Sequence, residues 1–269
     1  MSDRFRDALQ AVVTTPWQAS AEQEKLAQAL AAWFGAPCVA RKDRSVQELC
    51  AKFAVEVVIV AGEPFKLYHR DADAPLFFHP SMAAQRIARR ARGETDRMLR
   101  VGGIREGDIV VDATLGMAAD AMVLSAAVGQ TGRVIGLEQS AYVAQMLRAV
   151  QQFGSLTYPE AVQYLAKVDI IQANHSAWLA EQPDDSVDVV YFDPMFRSPN
   201  EESAALGPLR LFANRDQLQE EAVAQAKRVA RRAVMVKERP SSGVFAKYQL
   251  QPDQPRRKIA YGVWRKHHE

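Results

Sequence analysis

Hydrophobic positions in the second half of the chain alternate between short β-branched runs and longer segments with helical spacing. Helical spacing occurs at about 119–128, 141–153 and 216–231. The strand-like runs lie at 108–113, 133–137, 168–173, 187–192, 233–237, 246–251 and 258–264. Strands that are separated by helix-length segments predict an α/β protein with a doubly wound, mostly parallel sheet, here of seven strands.

The first hundred residues show a different pattern. Residues 1–18 have no clear period, so we expect a loose arm. Capping boxes at Ser20–Gln23 and Ser45–Glu48 begin two helices, a short strand is expected at 38–41, and β-branched residues from 55 to 60 begin a hairpin. A basic helical pattern then runs from about 80 to 101. We therefore predict a small N-terminal α/β domain (1–78), a basic connecting helix (79–103) and a main domain (104–269).

Composition excludes several classes of protein. Of 269 residues, 48% are apolar and 25% are charged, which is typical of globular chains. The two cysteines, Cys38 and Cys50, are too few for a disulfide framework and have no zinc-site spacing, so we expect no metal and a reducing cytoplasm. The chain begins without the apolar run of a signal peptide and has no stretch of about 18 apolar residues, so no membrane partner is expected. The net charge of +2 is too small to indicate a nucleic-acid partner by itself.

Candidate chemistry lies at the carboxyl ends of the predicted strands, where doubly wound sheets bind their ligands. The first strand ends at Asp112, and the turn after it contains Gly116, which permits close approach of a ligand to the backbone. The second strand is followed by Glu138, 22 residues after Gly116, a spacing that suits a carboxylate accepting both ribose hydroxyls. Alternatively, Glu138 begins the next helix and complements its dipole.

The third and fourth strand ends add a base-recognition pattern. Asn174 could contact an adenine edge or simply cap the next helix. At the fourth end, Asp193 precedes Pro194, which cannot continue strand pairing. The carboxylate could accept from an amino group on a base, and Phe196 could stack on that base; alternatively, an Asp-Pro turn packs Met195 and Phe196 into the core. An adenosine site beside an amine acceptor indicates S-adenosylmethionine-dependent amino methylation, and the chain lacks the glycine fingerprint of nicotinamide enzymes and the phosphate loop of kinases.

These motifs resemble a known family. Asp112-Ala113-Thr114 with Gly116 and Asp120 resembles the cofactor loop of Rossmann-like class I methyltransferases, although the loop here reads Gly116-Met117-Ala118-Ala119-Asp120 where the family usually has Gly-Leu-Gly-Arg-Asp. Together with 193–196 and Val236-Lys237-Glu238-Arg239-Pro240, they resemble the ribosomal small subunit methyltransferase J family, which methylates N2 of a guanine in 16S rRNA. The resemblance implies cofactor contacts from these residues: Asp112, Thr114, Gly116, Ala119, Asp120, Glu138, Gln139, Asn174, His175 and Asp193.

The same resemblance implies a nucleic-acid partner, ribosomal RNA or the small ribosomal subunit. Asp193, Pro194 and Phe196 are then the expected catalytic residues. Lys237 and Arg239 would contact a phosphate or the base edge, although a structural ion pair is an equal alternative. The arginines expected to dock RNA are Arg86, Arg89, Arg90 and Arg92. Two other functions stay open: amino methylation of adenine or cytosine in DNA, and a non-catalytic RNA-binding or ribosome-assembly factor that kept the fold.

Overall fold

A computed structural model describes residues 9–154, 159–194, 208–212 and 217–266 of the protein. The predicted Met195 and Phe196 lie outside these residues. In chain order, the described elements are β1 (Ala11–Thr14), α1 (Ala21–Phe34), α2 (Val46–Phe53), β2 (Val57–Val60), β3 (Lys66–His69), α3 (Ser81–Ala91), α4 (Arg97–Gly102), β4 (Ile109–Asp112), α5 (Ala119–Val128), β5 (Arg133–Glu138), α6 (Ala141–Phe153), α7 (Pro159–Leu165), β6 (Val168–Gln172), α8 (His175–Ala180), β7 (Val187–Phe192), α9 (Leu209–Phe212), α10 (Glu220–Val229), β8 (Ala230–Glu238), α11 (Val244–Lys247), β9 (Gln251–Pro252) and β10 (Ala260–Arg265).

The described residues form two compact units. One unit contains 9–79, 141–154, 159 and 208–212, so it combines the N-terminal part of the chain with α6 and α9. The other contains 80–140, 160–194 and 217–266. The sequence-based boundaries at 78 and 103 stay predictions.

The second unit is built on a mostly parallel sheet. Among the described residues this sheet has seven strands in the order β6-β5-β4-β7-β8-β10-β9. β4 pairs in parallel with β5 on one side and with β7 on the other, whereas β10 runs antiparallel to β8. The chain therefore reverses its direction of winding at β4, which makes the β4–β7 boundary the topological switch point. The predicted α/β fold with a doubly wound, mostly parallel sheet is confirmed.

Helices pack on this sheet through apolar faces. α10 buries Ala222, Val223 and Ala226 in a core shared with β4, β5, β7 and β8. α5 is apolar on nearly all sides and packs against β4, β5 and α3. Such a helix must be covered by protein on more than one side, and α3 provides part of that cover.

The first unit contains a three-stranded sheet in the order β1-β2-β3. β1 pairs in parallel with β2 through Ala11↔Val57 and Thr14↔Val60, and all four residues of β1 are buried. The prediction of a loose arm over 1–18 is thus wrong for this strand. A strand that is buried on both faces shows a short continuous apolar run instead of the alternation from which strands are recognised. The predicted strand at 38–41 is also wrong, because it is reduced to a single bridge between Val13 and Cys38.

Two further predictions are corrected. The basic segment 79–103 is two helices instead of one, because Gly93 has a φ of +88° and Asp96 begins α4 by accepting a hydrogen bond from Leu99 N. The strand predicted at 246–251 is wrong: Ala246 and Lys247 are the last residues of α11, a turn follows at Tyr248 and Gln249, and only Gln251 belongs to a strand. Phe245 and Tyr248 are both buried at helical spacing, which explains the error, since a short apolar run fits either element.

Candidate active site

Four polar residues are brought together by the parallel register of the central strands. Asp112 at the end of β4 is aligned with Tyr191 of β7, and Phe192 is aligned with Val236 of β8. Asp193 directly after β7 and Lys237 near the end of β8 therefore lie at the same edge of the sheet. Glu138 ends the neighbouring β5 and is aligned with Gln172 of β6. The parallel register thus brings these candidate residues to one edge of the sheet.

The turn between β4 and α5 connects three of the strand ends by hydrogen bonds. Asp112 Oδ1 accepts from Thr114 N at 3.2 Å, and Thr114 Oγ1 accepts from Asp193 N at 2.6 Å. Gly116 N donates to Glu138 Oε2 at 3.0 Å. Gly116 has a φ of +51°, and a Cβ added to it would meet only the carbonyl oxygen of Thr114, at 3.9 Å. The turn is thus fixed to its neighbours while the space beside Gly116 stays open.

Glu138 is a buried carboxyl group, which is consistent with a binding role. Its Oε1 accepts from Ser140 N at 2.8 Å, and its Oε2 accepts from Gly116 N. Burial raises the pKa of Glu138 to about 7 against the opposing effect of these backbone hydrogen bonds. A carboxylate has about four acceptor positions on its two oxygens, so Glu138 can accept a further hydrogen bond beside those from the backbone. A carboxylate at this position suits the hydroxyls of a ribose.

At the end of β6, Asn174 acts as the cap of α8. Its Oδ1 accepts from Ser176 N at 2.9 Å and from Ala177 N at 3.2 Å. Its Nδ2 donates to Gln139 Oε1 at 3.1 Å, which links two of the residues that the sequence singled out. The ring of His175 packs edge-on against Phe192, with centroids 5.7 Å apart.

The fourth strand end belongs to a cluster of charged side chains. Lys237 Nζ donates to Asp193 Oδ2 at 2.7 Å and lies 3.5 Å from Asp120 Oδ2. The hydroxyl of Tyr191 donates to the same Asp120 oxygen at 2.7 Å. Arg86 pairs with Asp120 Oδ1 from the other side. The cluster extends from α3 through α5 to the ends of β7 and β8.

Charges in this cluster perturb one another strongly. Burial and the charge of Asp120 raise the pKa of Asp112 well above its ordinary value. Burial also raises the pKa of Asp193, to about 6, although Lys237 opposes the shift. Burial would lower the pKa of Lys237, but Asp120 and Asp193 raise it above its usual range. Lys237 is therefore a permanent cation, and Asp193 can gain or lose a proton near neutral pH.

The four arginines of the basic segment are placed differently. Arg86 is engaged with Asp96 and Asp120, so its guanidinium is held inside the charged cluster. The other three are exposed: Arg89 pairs with Glu94 at 2.9 Å, Arg90 donates to the carbonyl of Ala126 at 3.3 Å, and Arg92 caps the C-terminus of α3.

The remaining predicted residues have simpler positions. Pro194 and Arg239 are half-buried, and Arg239 N donates to Glu238 Oε1 at 2.7 Å. Ala119 is the first residue of α5. Reasoning from the sequence did not include Tyr191 and Asp96, because Tyr191 lies inside an apolar strand and Asp96 is ten residues from Arg86. Of the two, only Asp96 had a local signal, as an N-cap before a short apolar run.

Comparison with known proteins identifies the family. A family model described as "Putative SAM-dependent methyltransferase" matches residues 54–262. The chain belongs to this family. The "Uncharacterized protein YpiP" of Bacillus subtilis (strain 168) is 34% identical over 237 residues, which cover 88% of this chain and 92% of that protein. The "Ribosomal RNA small subunit methyltransferase J" of Laribacter hongkongensis is 38% identical over 103 residues, 38% of this chain and 35% of that protein.

Solved structures show weaker likeness. TrmN from Thermus thermophilus matches 97% of this chain and 74% of its own length at 16% identity, with a TM-score of 0.43. Because that TM-score lies below 0.5, membership in the methyltransferase family rests on the sequence matches. The protein is an S-adenosylmethionine-dependent methyltransferase. In the described part of the chain, no helix combines the length and the apolar character needed to cross a bilayer, and no group of acidic, His and Cys residues could hold a metal ion.

Proposed function

We propose that this methyltransferase modifies an exocyclic amino group of a nucleobase, specifically N2 of a guanine in 16S ribosomal RNA. The observation that carries the proposal is the position of Asp193, a half-buried carboxyl group between Lys237 and the turn that follows β4. Support for RNA as the substrate comes from the relatives named ribosomal RNA small subunit methyltransferase J, whose alignments cover 38% and 40% of this chain.

The residues at the first three strand ends fit an adenosyl group. The open space beside Gly116 allows a ligand to approach the turn, and the Glu138 carboxylate is proposed to accept from the ribose hydroxyls. Gln139 and Asn174 supply amide groups of the kind that adenine edges bind. Asp112, Thr114, Ala119, Asp120 and His175 complete the proposed surroundings. When bound, S-adenosylmethionine would supply a methyl group from its sulfonium, and the sulfur would be left as a neutral thioether after transfer.

Asp193 is proposed to hold and orient the amino nitrogen. Its Oδ2 accepts from Lys237, and its second oxygen gives the substrate amino group an acceptor. A hydrogen bond from the amino group directs the nitrogen lone pair towards the methyl carbon. As the new N–C bond forms, the nitrogen gains positive charge and must lose a proton. With its pKa at about 6, Asp193 can take that proton and release it to water near neutral pH.

Pro194 is proposed to fix the direction of the chain beyond Asp193, since proline restricts the backbone and offers no N–H for pairing. Phe196 is proposed to stack on the target base. Lys237 acts on Asp193 by charge, and Arg239 is proposed to contact the substrate backbone.

Exposed surfaces of both units suit a nucleic acid. Arg89, Arg90 and Arg92 form a basic surface on the second unit. On the first unit, Trp17 is 66% exposed, and the guanidinium carbon of Arg41 lies 4.7 Å from the centroid of its ring. Exposed aromatic rings next to cations are how proteins bind unstacked bases and phosphates. We propose that both surfaces contact RNA.

The test uses Asp193→Asn with Asp169→Asn as the matched control, because Asp169 is a surface carboxylate paired with Arg133 in the same sheet. Tritiated methyl transfer is measured at saturating cofactor on unmethylated 16S rRNA, small subunits and DNA, and the product nucleoside is identified by mass spectrometry. We expect Asp193→Asn to lose about 10²-fold or more of the rate and the control to keep it. Labelled DNA would support DNA amino methylation. Cofactor binding without transfer to any substrate would favour an assembly factor.

A further inference from the structure

The guanidinium of Arg86 bridges two carboxylates within the second unit. Arg86 Nε and Nη2 donate to the two oxygens of Asp96 at 2.8 and 3.0 Å, and Nη1 pairs with Asp120 Oδ1. The Arg86 side chain is only 21% exposed. Its partners occupy three of its donors in a fixed planar geometry, which is typical of a positioned arginine and not of a mobile surface cation.

Asp120 transmits this contact to the site. Its second oxygen accepts from the Tyr191 hydroxyl at 2.7 Å and lies 3.5 Å from Lys237 Nζ. Lys237 thus lies between two carboxylates and is closer to Asp193, at 2.7 Å. Arg86 lies on the far side of Asp120, where it satisfies the oxygen that Lys237 does not approach.

We propose that Arg86 is a positioning residue for Asp193: by pairing with Asp120, it leaves the Lys237 ammonium bound to the Asp193 carboxylate. The inference rests on the proposed role of Asp193 in holding the amino group. Without the Arg86 charge, Asp120 would attract the Lys237 ammonium more strongly. The ion pair between Lys237 and Asp193 would then weaken, and among the described residues Lys237 is the cation that hydrogen-bonds to Asp193.

The charges that face Asp193 give the direction of the effect. Burial raises the pKa values of Asp112 and Tyr191, which favours the uncharged form of both groups. Tyr261 on β10 is also neutral, with its pKa raised to about 12 by burial. Among the described residues of this cluster, the carboxylates Asp96, Asp120 and Asp193 are paired with two cations, Arg86 and Lys237. Removing one cation leaves three anions with one, so the pKa of Asp193 must rise and its proton must be lost at higher pH.

The experiment follows Asp193 directly. Protein labelled with ¹³C at the aspartate carboxyl carbons is titrated by NMR, and the Asp193 resonance is identified by its absence in Asp193→Asn. We expect Asp193 in Arg86→Met to titrate about one pH unit or more above its value in the wild type. Arg86→Lys, which keeps a charge, should restore most of the difference. Arg86→Gln serves as a second neutral variant that keeps hydrogen-bond donors in case Arg86→Met does not fold.

A second measurement separates positioning from RNA contact. The acid limb of the pH–rate profile for methyl transfer should move to higher pH in the neutral variants, while RNA affinity stays within about twofold of the wild type. An unchanged Asp193 titration in a folded neutral variant would overturn the inference, as would a loss of RNA affinity with no change in titration. Because the NMR titration needs no methyl transfer, failure of the proposed function leaves this result interpretable.

Discussion

Replacing Glu138 with Gln tests the cofactor site at its most informative residue. Both carboxylate oxygens of Glu138 already accept a backbone amide, and each is proposed to accept a ribose hydroxyl as well. Gln keeps the shape and one acceptor oxygen but presents an NH2 group in place of the other. A hydrogen bond to a charged group contributes about 1.5–3 kcal/mol, so the loss of one predicts an affinity that is weaker by about 10-fold to 150-fold.

The same carboxyl group predicts a pH dependence of binding. The pKa of Glu138 lies at about 7 because of its burial, and only the ionised carboxylate accepts two hydroxyls. Between pH 8.5 and pH 6 the ionised fraction falls about tenfold, so the affinity of the wild type should fall by about the same factor. Gln does not titrate, so the weaker affinity of Glu138→Gln should be nearly independent of pH.

Isothermal titration calorimetry with S-adenosylmethionine and with adenosine measures both effects. Adenosine carries the same ribose hydroxyls but lacks the amino-acid portion, so its pH dependence reports on the protein alone. Asp169→Asn, at an exposed position of β6, is the control and should bind as the wild type does. Equal affinities of the wild type and Glu138→Gln, or a wild-type affinity for adenosine that is unaffected by pH, would refute the assignment of ribose binding to Glu138.

Two further outcomes are expected. Since the pKa of Glu138 is raised on folding from 4.5 to about 7, the wild type should lose up to about 3 kcal/mol of stability as the pH rises from about 4.5 to about 7. Urea denaturation of Glu138→Gln should show no such loss from this site. Trp17→Ala should weaken RNA binding about 5-fold to 150-fold in a filter-binding assay. Trp33→Ala is the control and should leave binding unchanged, because the Trp33 ring packs against Phe153. Equal effects of the two substitutions would argue against stacking of a base on Trp17.

The central sheet could be predicted because its signals are local. β-branched runs mark β4, β5 and β7, and the polar residues that end them stand next to those runs in sequence. β1 could not be recognised in the same way, because four buried residues show no alternation of apolar and polar positions. The carboxyl ends of parallel strands lie at one edge of a sheet, so the common location of these polar residues could be predicted from the topology alone. Individual roles in binding and catalysis stay predictions.

Arg86 shows why the charged cluster was not predicted. In sequence it is one of four arginines in a basic segment, and nothing local distinguishes it from Arg89 or Arg90. Its partner Asp120 is 34 residues away, so only the packing of α3 against α5 brings the two charges together. A run of arginines on a helix therefore predicts a solvated or basic face. Which of these arginines turns inward to pair with a buried carboxylate depends on tertiary packing and cannot be predicted from the run itself.

The altered loop after β4 is consistent with a working cofactor turn. The position where the methyltransferase J family usually has its second glycine is Ala118, which adopts a left-handed φ of +61°. That conformation costs a non-glycine residue about 1–2 kcal/mol, and glycine there would in turn give up a buried methyl group worth about 0.8 kcal/mol. The turn is held by Leu115 N donating to Leu137 O at 2.9 Å and by Ala118 N donating to Leu115 O at 2.8 Å, contacts that any residue can make. Because the backbone and Glu138 determine this geometry, the loss of one glycine changes the stability of the turn far more than its shape.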